Sequence, residues 1–133
     1  MDAMDFIEIH QLISHYGHVI DERQWSRIRE LFTDDITYDL TPMGGAVYQG
    51  PDEILAFWKD PATSHPLAHH VTNVVVSEDD DGTVRVISKV ISHRIGGGGS
   101  AVYRDVVRRT PQGWRIAVRA AFRKTPETIP DPS

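Results

Sequence analysis

Two residues of this chain could act together on a proton: Asp21, at the end of an amphipathic stretch, and His69, at the start of an apolar run that continues to Val76. A histidine with an ordinary pKa of about 6.5 can accept a proton at neutral pH, and a carboxylate partner keeps its ring in one tautomer. Such a pair can remove a proton from carbon when a pocket holds the substrate beside it. We therefore predict that His69 is a general acid/base and that Asp21 orients it.

Both residues also have structural interpretations. His69 could be a core or strand-end histidine that hydrogen-bonds the backbone, and Asp21 could be a residue that ends a helix or forms a turn. The next residue, His70, should point away from His69 in a regular strand, so we expect it to be structural or exposed. Tyr16 could donate a hydrogen bond to an oxyanion, or it could fill the core with its hydroxyl at the rim.

The first half of the sequence has mainly helical patterns. Residues 24–32 predict a second helix, which a polar segment at residues 33–35 should end before a short strand at residues 36–40. Pro51 stands at a first helical position, so another short helix should begin there. The first helix is predicted by an apolar stripe, with Asp5 as its N-cap or first-turn acid; the stripe consists of Phe6, Ile9, Ile13, Tyr16 and Ile20.

The second half of the sequence has strand patterns separated by turn signals. Four strands are predicted, at residues 69–77, 83–95, 101–110 and 114–122. The four glycines before Ser100 predict a mobile loop between two hairpin partners. Helices followed by consecutive antiparallel strands indicate an α+β domain with its helices on one face of a curved sheet. The concave space between the layers is a natural pocket for a small molecule.

Composition restricts the class of protein further. With 133 residues, 40% of them hydrophobic, the chain should form one domain, predicted at residues 1–124, followed by a proline-rich tail at residues 125–133. The net charge of −5 argues against nucleic acid as a partner. No apolar run approaches the roughly 20 residues that span a bilayer, so no membrane partner is expected. The absence of cysteine and of a secretory signal pattern predicts a cytoplasmic protein.

The order of motifs resembles the SnoaL-like family of the nuclear transport factor 2-like (NTF2-like) superfamily. This resemblance implies a cone-shaped α+β fold whose N-terminal helices pack on a curved, mixed, mostly antiparallel sheet. It covers most of the chain, but the fold hosts unrelated functions and does not by itself imply an activity. The segments that carry it are Tyr16 with Asp21, and residues 25–32, 34–39, 48–54, 69–76, 103–109 and 113–116.

Within that family the Asp21 and His69 positions are similar to those of scytalone dehydratase, bile acid 7α-dehydratase and hexachlorocyclohexane dehydrochlorinase. The resemblance implies a cofactor-independent lyase of the dehydratase type, in which His69 removes a proton from carbon and Asp21 stabilises it. Tyr16 and His93 would be polar helpers, and the substrate would be a small, largely apolar organic molecule. A polyketide cyclase or an isomerase of the same fold is an alternative, as is a non-catalytic ligand-binding or assembly domain. The resemblance also implies a homodimer.

Further residues are expected to form the pocket wall. Among three neighbours on the first strand, Tyr38, Asp39 and Leu40, a one-residue slip of register decides which side chain faces the pocket. Asp39 and Asp105 are each interpreted as turn or surface acids, and Trp114 as core. No metal site is predicted, because no spacing of the histidines gathers three ligands. The predicted substrate-binding residues are Tyr38, Leu40, Met43, Phe57, Trp58 and Tyr103.

Overall fold

A six-stranded sheet with helices packed against it forms the domain in the computed structural model, which describes residues 1–132. The strand order is β2-β1-β6-β5-β4-β3, with β1 parallel to β6 and every other neighbouring pair antiparallel. The helices are α1 (Ala3–Asp21) and α2 (Gly50–Lys59), with short 3₁₀ segments at Trp25–Glu30, Thr41–Met43 and Pro126–Thr128. The strands are β1 (Phe32–Asp39), β2 (Val47–Gln49), β3 (Ala68–Glu78), β4 (Val84–Arg94), β5 (Gly97–Thr110) and β6 (Gly113–Lys124).

Helix α1 begins with a reciprocal cap and buries one apolar face. Asp2 is its N-cap and accepts from the Asp5 backbone N–H, while the Asp5 carboxylate accepts from the Asp2 backbone N–H. Asp5 is therefore the first-turn acid and not the N-cap itself. Its carboxylate also accepts a 3.1 Å hydrogen bond from the indole of Trp114, which lies in the core as predicted. The buried face of α1 includes Ile9, Ile13, Tyr16 and Ile20, whereas Phe6 is exposed.

Three local predictions are wrong because tertiary pairing overrides composition. The polar residues 33–35 belong to strand β1, where Asp34 and Asp35 face outward and bind Arg29 and Arg108. Residues 24–32 form only a 3₁₀ segment, which ends at Glu30 before β1 begins. Three of the four glycines of the predicted mobile loop, Gly97–Gly99, start strand β5 and pair with the end of β4. A Cβ at Gly98 would clash with the Ser92 carbonyl oxygen, so glycine permits this pairing.

The inner face of the sheet follows the twofold alternation of strand residues. On β5 it carries Tyr103 and Asp105, and on β6 it carries Arg119. Asp105 lies directly opposite Arg119 and binds it with two hydrogen bonds of 2.8 Å, from Nε to Oδ1 and from Nη2 to Oδ2. The interpretation of Asp105 as a turn or surface acid is therefore wrong: its charge is buried because a partner on the next strand compensates it.

The outer face of the sheet exposes scattered large apolar side chains among charged ones. Ile87, Ile91 and Phe122 are 36%, 53% and 37% exposed, respectively. The homodimer stays a prediction. Across residues 1–132, no helix combines the length and the apolarity needed to cross a membrane. Strand β6 ends at Lys124, and the described part of the predicted tail, residues 125–132, contains one 3₁₀ turn; Ser133 lies outside the described residues.

Candidate active site

A glycine on α1 brings the helix close to the start of β3. A Cβ at Gly17 would lie 3.1 Å from the His69 carbonyl oxygen, which is closer than almost all real Cβ contacts. Because glycine has no side chain, helix and strand can approach at this level without displacing the strand. Asp21 follows one helical turn later, at the last residue of α1. The close approach thus places the Asp21 carboxylate beside the first residues of β3.

The Asp21 carboxylate holds His69 at two points. Its Oδ1 lies 2.6 Å from the His69 ring Nδ1, and its Oδ2 accepts a 2.8 Å hydrogen bond from the His69 backbone N–H. An ionised carboxylate can only accept, so the neutral ring carries its proton on Nδ1. The second ring nitrogen, Nε2, then has a free lone pair and is the atom able to take a proton.

The environment of His69 favours the neutral imidazole. Burial lowers the pKa of His69 below its ordinary value of 6.5, and the hydrogen bond and charge of Asp21 raise it only in part. The positive charge of Arg119 and the nearby His65 lower it further. At neutral pH the ring is therefore unprotonated at Nε2, which is the form a general base requires.

His69 lines a cavity of about 240 Å³ between the sheet and the helices. This volume is below the roughly 300–1,000 Å³ of common ligand pockets, so a small ligand fits best. The wall is mostly aromatic and aliphatic, with polar groups at a few points. Its aromatic members are Tyr16, Tyr38, Phe57, Trp58 and Tyr103; its other members include Ile20, Leu40, Met43, Ala121, Thr63, Ser64, His65 and Arg123.

Two tyrosine hydroxyls meet in the cavity wall. The hydroxyl oxygens of Tyr16 and Tyr38 are 2.7 Å apart, and either can be the donor. Burial raises the pKa of Tyr38 well above 10, and its neighbours Tyr16 and Tyr103 raise it further. The hydroxyl of Tyr38 therefore stays protonated at neutral pH and can donate a hydrogen bond. Because one proton is used inside the pair, the other remains for a ligand oxygen.

A fixed positive charge lies behind these tyrosines. The guanidinium carbon of Arg119 is 4.2 Å from the ring centroid of Tyr16 and 4.0 Å from that of Tyr103. Burial alone would lower the pKa of Arg119, but the charge and hydrogen bonds of Asp105 raise it above its ordinary value. Arg119 is absent from the cavity wall and fully buried, so it acts on the cavity through its charge and not by direct contact with a ligand.

The structure brings together nine of the ten predicted site residues. Eight of them line the cavity, and Asp21 stands behind His69. On the first strand, Tyr38 and Leu40 face the cavity, while the Asp39 carboxylate turns away and accepts from the Thr41 backbone N–H and hydroxyl. The eight that line the cavity are Tyr16, Tyr38, Leu40, Met43, Phe57, Trp58, His69 and Tyr103.

His93 is the exception, and the structure corrects its predicted role as a polar helper. Val86, Ser88 and Val90 of β4 point into the core, so by alternation His93 points out of the opposite face. Its side chain is exposed and borders a shallow surface depression that also includes His70. The predicted outward direction of His70 is confirmed, and both histidines lie on the face away from the cavity.

Seven members of the cavity wall were not predicted as site residues, and the two with nitrogen-bearing side chains are His65 and Arg123. His65 lies in the irregular segment before β3, with its Nε2 2.8 Å from the Trp58 carbonyl oxygen. Arg123 lies near the end of β6, on the same face as Arg119 and Ala121. A pattern of alternate residues could have indicated Arg123, but a charged side chain near a strand end ordinarily predicts exposure to solvent.

Other polar groups form no comparable site. A larger surface groove of about 620 Å³ is lined by the ion-paired Arg29, Asp34, Asp35 and Arg108 and contains neither Asp21 nor His69. These four side chains are already paired with one another, so the smaller cavity is the better candidate for an active site. Among the described residues, no three His, Asp or Glu side chains are grouped in a way that could hold a metal ion.

Comparisons with known proteins agree with this architecture. The sequence model of the SnoaL-like domain family matches residues 2–120. The uncharacterized protein Rv2910c of Mycobacterium tuberculosis is 31% identical over 128 residues, covering 89% of this chain and 84% of that protein. An NTF2-like protein with a cystatin-like fold from Novosphingobium aromaticivorans is 27% identical, with a TM-score of 0.70 and coverage of 94% of this chain and 85% of that one.

A hexachlorocyclohexane dehydrochlorinase of type 2 is also similar, with a TM-score of 0.73 and 20% identity over 93% of this chain and 90% of that one. At that identity the likeness shows the fold alone. The predicted family resemblance and the predicted α+β fold on a mixed, mostly antiparallel sheet are confirmed.

Proposed function

The chain belongs to the SnoaL-like domain family, and on that premise we propose that it is a cofactor-independent lyase of the dehydratase type. The observation that carries the proposal is the contact between Asp21 and His69. The Asp21 carboxylate lies outside the cavity, with its Oδ1 2.6 Å from the Nδ1 of His69. The His69 ring itself lines the cavity wall. A base held in one tautomer at the wall of an apolar pocket is suited to proton abstraction from carbon.

The proposed reaction is an elimination of water. His69 Nε2 takes a proton from carbon, and the electrons of the broken C–H bond form a double bond to the neighbouring carbon. The hydroxyl on that carbon leaves as water after it takes a proton from the His69 imidazolium. Asp21 stabilises the imidazolium between the two steps, since its negative charge lies beside Nδ1.

The tyrosine pair supports such a reaction at a carbonyl substrate. When a proton leaves the carbon next to a carbonyl group, negative charge develops on the carbonyl oxygen. The Tyr16–Tyr38 pair has one hydroxyl proton to donate to that oxygen. Arg119 makes this donation stronger, because its positive charge lies over the Tyr16 ring and stabilises electron density there. A hydroxylated ketone with an apolar body therefore fits the proposed site.

The test is turnover of a panel of small β-hydroxy ketones, followed by mass spectrometry of the products. We expect loss of water from at least one member, and we expect His69→Gln and Asp21→Asn to lower kcat/KM by about 10²–10⁴-fold. His70→Gln is the matched control, because it changes the neighbouring histidine on the opposite face of the sheet. Circular dichroism of each variant checks that the fold is retained.

Different products separate the related reactions. A product with the mass of its substrate indicates cyclisation or isomerisation by the same pair and contradicts elimination. Turnover that survives His69→Gln contradicts the assignment of His69 as the base. If the wild-type protein turns over no member of the panel, the lyase proposal is wrong and ligand binding becomes the better hypothesis.

A further inference from the structure

The cavity wall has an unbalanced charge. The chain as a whole has a net charge of −5, yet among the described residues the cavity wall contains no aspartate or glutamate. Within residues 1–132, the wall includes one arginine, Arg123, and no lysine. A negatively charged protein with a positive group at its cavity favours an anionic group on the ligand at that point.

Arg123 is available to a ligand. None of the ion pairs found within residues 1–132 involves it. In contrast, Arg119, four residues earlier on the same face of β6, forms an ion pair with Asp105. The one hydrogen bond of Arg123 runs from Nη2 to the Met43 carbonyl oxygen at 3.3 Å. This bond directs the side chain toward the segment that borders the cavity and leaves Nε and Nη1 free to donate.

A second donor stands at the rim. Ser64 lines the cavity, and its hydroxyl oxygen accepts a 2.9 Å hydrogen bond from Arg94 Nη1. Arg94 Nη2 also donates to the Ser64 carbonyl oxygen at 3.0 Å, so the serine is fixed at two points. Because its oxygen already accepts, the hydroxyl hydrogen of Ser64 is left to donate. The cavity wall therefore includes two side chains, Arg123 and Ser64, that can donate to an anion.

We propose that Arg123 is the binding site for a carboxylate group of the substrate. The apolar part of that substrate would rest on the aromatic wall, with its acidic C–H facing His69. The substrate class is then a small hydroxylated carboxylic acid with an unsaturated or ring-containing body. This inference rests on the proposed function for the reacting end of the molecule, but the carboxylate preference itself concerns binding alone.

The positions of the two strands agree with a substrate that bridges the cavity. His69 is on β3 and Arg123 is on β6, three strand steps apart in the sheet. At about 4.8 Å per step, their backbones are roughly 14 Å apart, and both side chains reach into the same space from opposite sides. A carboxylate held by Arg123 thus places the other end of a small molecule at the base.

A purely structural role for Arg123 gives a different expectation. In that case the guanidinium only ties the end of β6 to the Met43 carbonyl, and its loss would loosen the cavity for every ligand alike. A carboxylate subsite predicts a loss confined to anionic ligands. Pairs of ligands that differ only in charge distinguish the two roles.

The experiment measures binding of trans-cinnamate and benzoate, each against its neutral amide, by isothermal titration calorimetry. We expect wild-type protein to bind the carboxylates about tenfold more tightly than the amides, and this preference to decrease as salt is raised. Arg123→Gln should remove the preference and leave amide binding unchanged. Arg104→Gln is the matched control, because it removes the same charge from an exposed position outside the cavity wall.

Three outcomes overturn the inference. The wild-type protein shows no preference for carboxylates, which includes the case in which it binds no probe. The preference survives in Arg123→Gln, or Arg123→Gln weakens the binding of amide and carboxylate equally. The same titrations on His69→Gln separate this inference from the proposed function. A carboxylate preference that persists there, while turnover does not depend on His69, would support the subsite and contradict the lyase.

Discussion

Two carboxylates in this fold each hold one basic side chain, and the two pairs are built differently. Asp105 binds Arg119 through two hydrogen bonds of 2.8 Å, and both side chains are 0% exposed. Asp21 binds the ring and the backbone of His69, and these side chains keep 13% and 10% of their surface exposed. The first pair lies inside the core, and the second lies at the wall of a cavity.

The difference lies in the partner and in its access to a ligand. A guanidinium remains charged at every physiological pH and cannot exchange a proton, so the Asp105–Arg119 pair can only hold structure and charge. An imidazole changes charge near neutrality, so the Asp21–His69 pair can move a proton. The two pairs should therefore fail in different ways: loss of the first should unfold the protein, and loss of the second should stop its chemistry.

The largest effect on stability is expected from Asp105→Asn. This change leaves the Arg119 guanidinium buried without a compensating charge, which costs about 3–5 kcal/mol of the free energy of unfolding. Small domains have only about 5–15 kcal/mol in total, so the variant should be close to unfolded at room temperature. Urea denaturation followed by circular dichroism measures the loss.

Asp35→Asn is the matched control for that variant, because Asp35 also binds an arginine, with its Oδ1 2.7 Å from Arg108 Nη2, but at the surface. An exposed pair contributes about 1 kcal/mol at most, so the control should unfold close to the wild-type midpoint. Similar losses in the two variants would show that burial does not distinguish the pairs, and the comparison would be wrong.

An intermediate effect is expected from Gly17→Ala, which acts on the Asp21–His69 pair from outside. The added Cβ would lie 3.1 Å from the His69 carbonyl oxygen and must push β3 away by a few tenths of an ångström. Alanine also raises helix propensity by about 1 kcal/mol, which offsets part of the strain. We therefore expect a free energy of unfolding within about 1 kcal/mol of wild type, together with a roughly tenfold loss of kcat/KM.

Ser14→Ala controls for helix propensity, because Ser14 is exposed on the same helix one turn earlier. It should leave activity unchanged. If Gly17→Ala retains full activity, close approach of α1 to β3 is not needed for the geometry of the pair.

The smallest expected effect concerns the pH dependence of kcat/KM. Burial lowers the pKa of His69 below 6.5, so kcat/KM should hold through neutral pH and fall only at a more acidic pH, as the ring gains a proton. In the unfolded chain, His69 takes up a proton near its ordinary pKa of 6.5, whereas in the folded protein the ring stays unprotonated to a lower pH. The contribution of His69 to the free energy of unfolding therefore decreases as pH falls from 6.5 toward the folded pKa.

Proton NMR titration of the His69 ring, assigned with His69→Gln, measures this pKa directly. Asp21→Asn should lower it further, because Asp21 is the group that raises it. A pKa above 6.5 in the wild-type protein, or a rise in the variant, would contradict burial as the dominant cause.

The sequence alone indicated the Asp21–His69 pair more clearly than the Asp105–Arg119 pair. Asp21 and His69 could be predicted because they lie at the ends of strong periodic patterns, and the family resemblance places both in one site. Asp105 and Arg119 could not, because their contact depends on the register between β5 and β6. That register follows from packing across the whole sheet and not from local residue types.

The remaining differences have similar physical causes. His93 was placed in the site because its position along β4 is right, but strand alternation turns its side chain to the outer face. His65 was missed because it lies in a segment without periodicity. The glycines before Ser100 predict a loop by composition, whereas in the structure close approach to the Ser92 backbone requires glycine at Gly98.

The double attachment of His69 to Asp21 has a stereochemical consequence. With both the backbone N–H and the ring Nδ1 held by one carboxylate, the imidazole has little freedom to rotate about its side-chain bonds. Its Nε2 then faces a bound molecule from one side only. At a prochiral CH₂ group, a base in that position reaches one of the two enantiotopic hydrogens and leaves the other in place. In the proposed elimination, the carboxylate would therefore select the handedness of the reaction as well as the basicity of the ring.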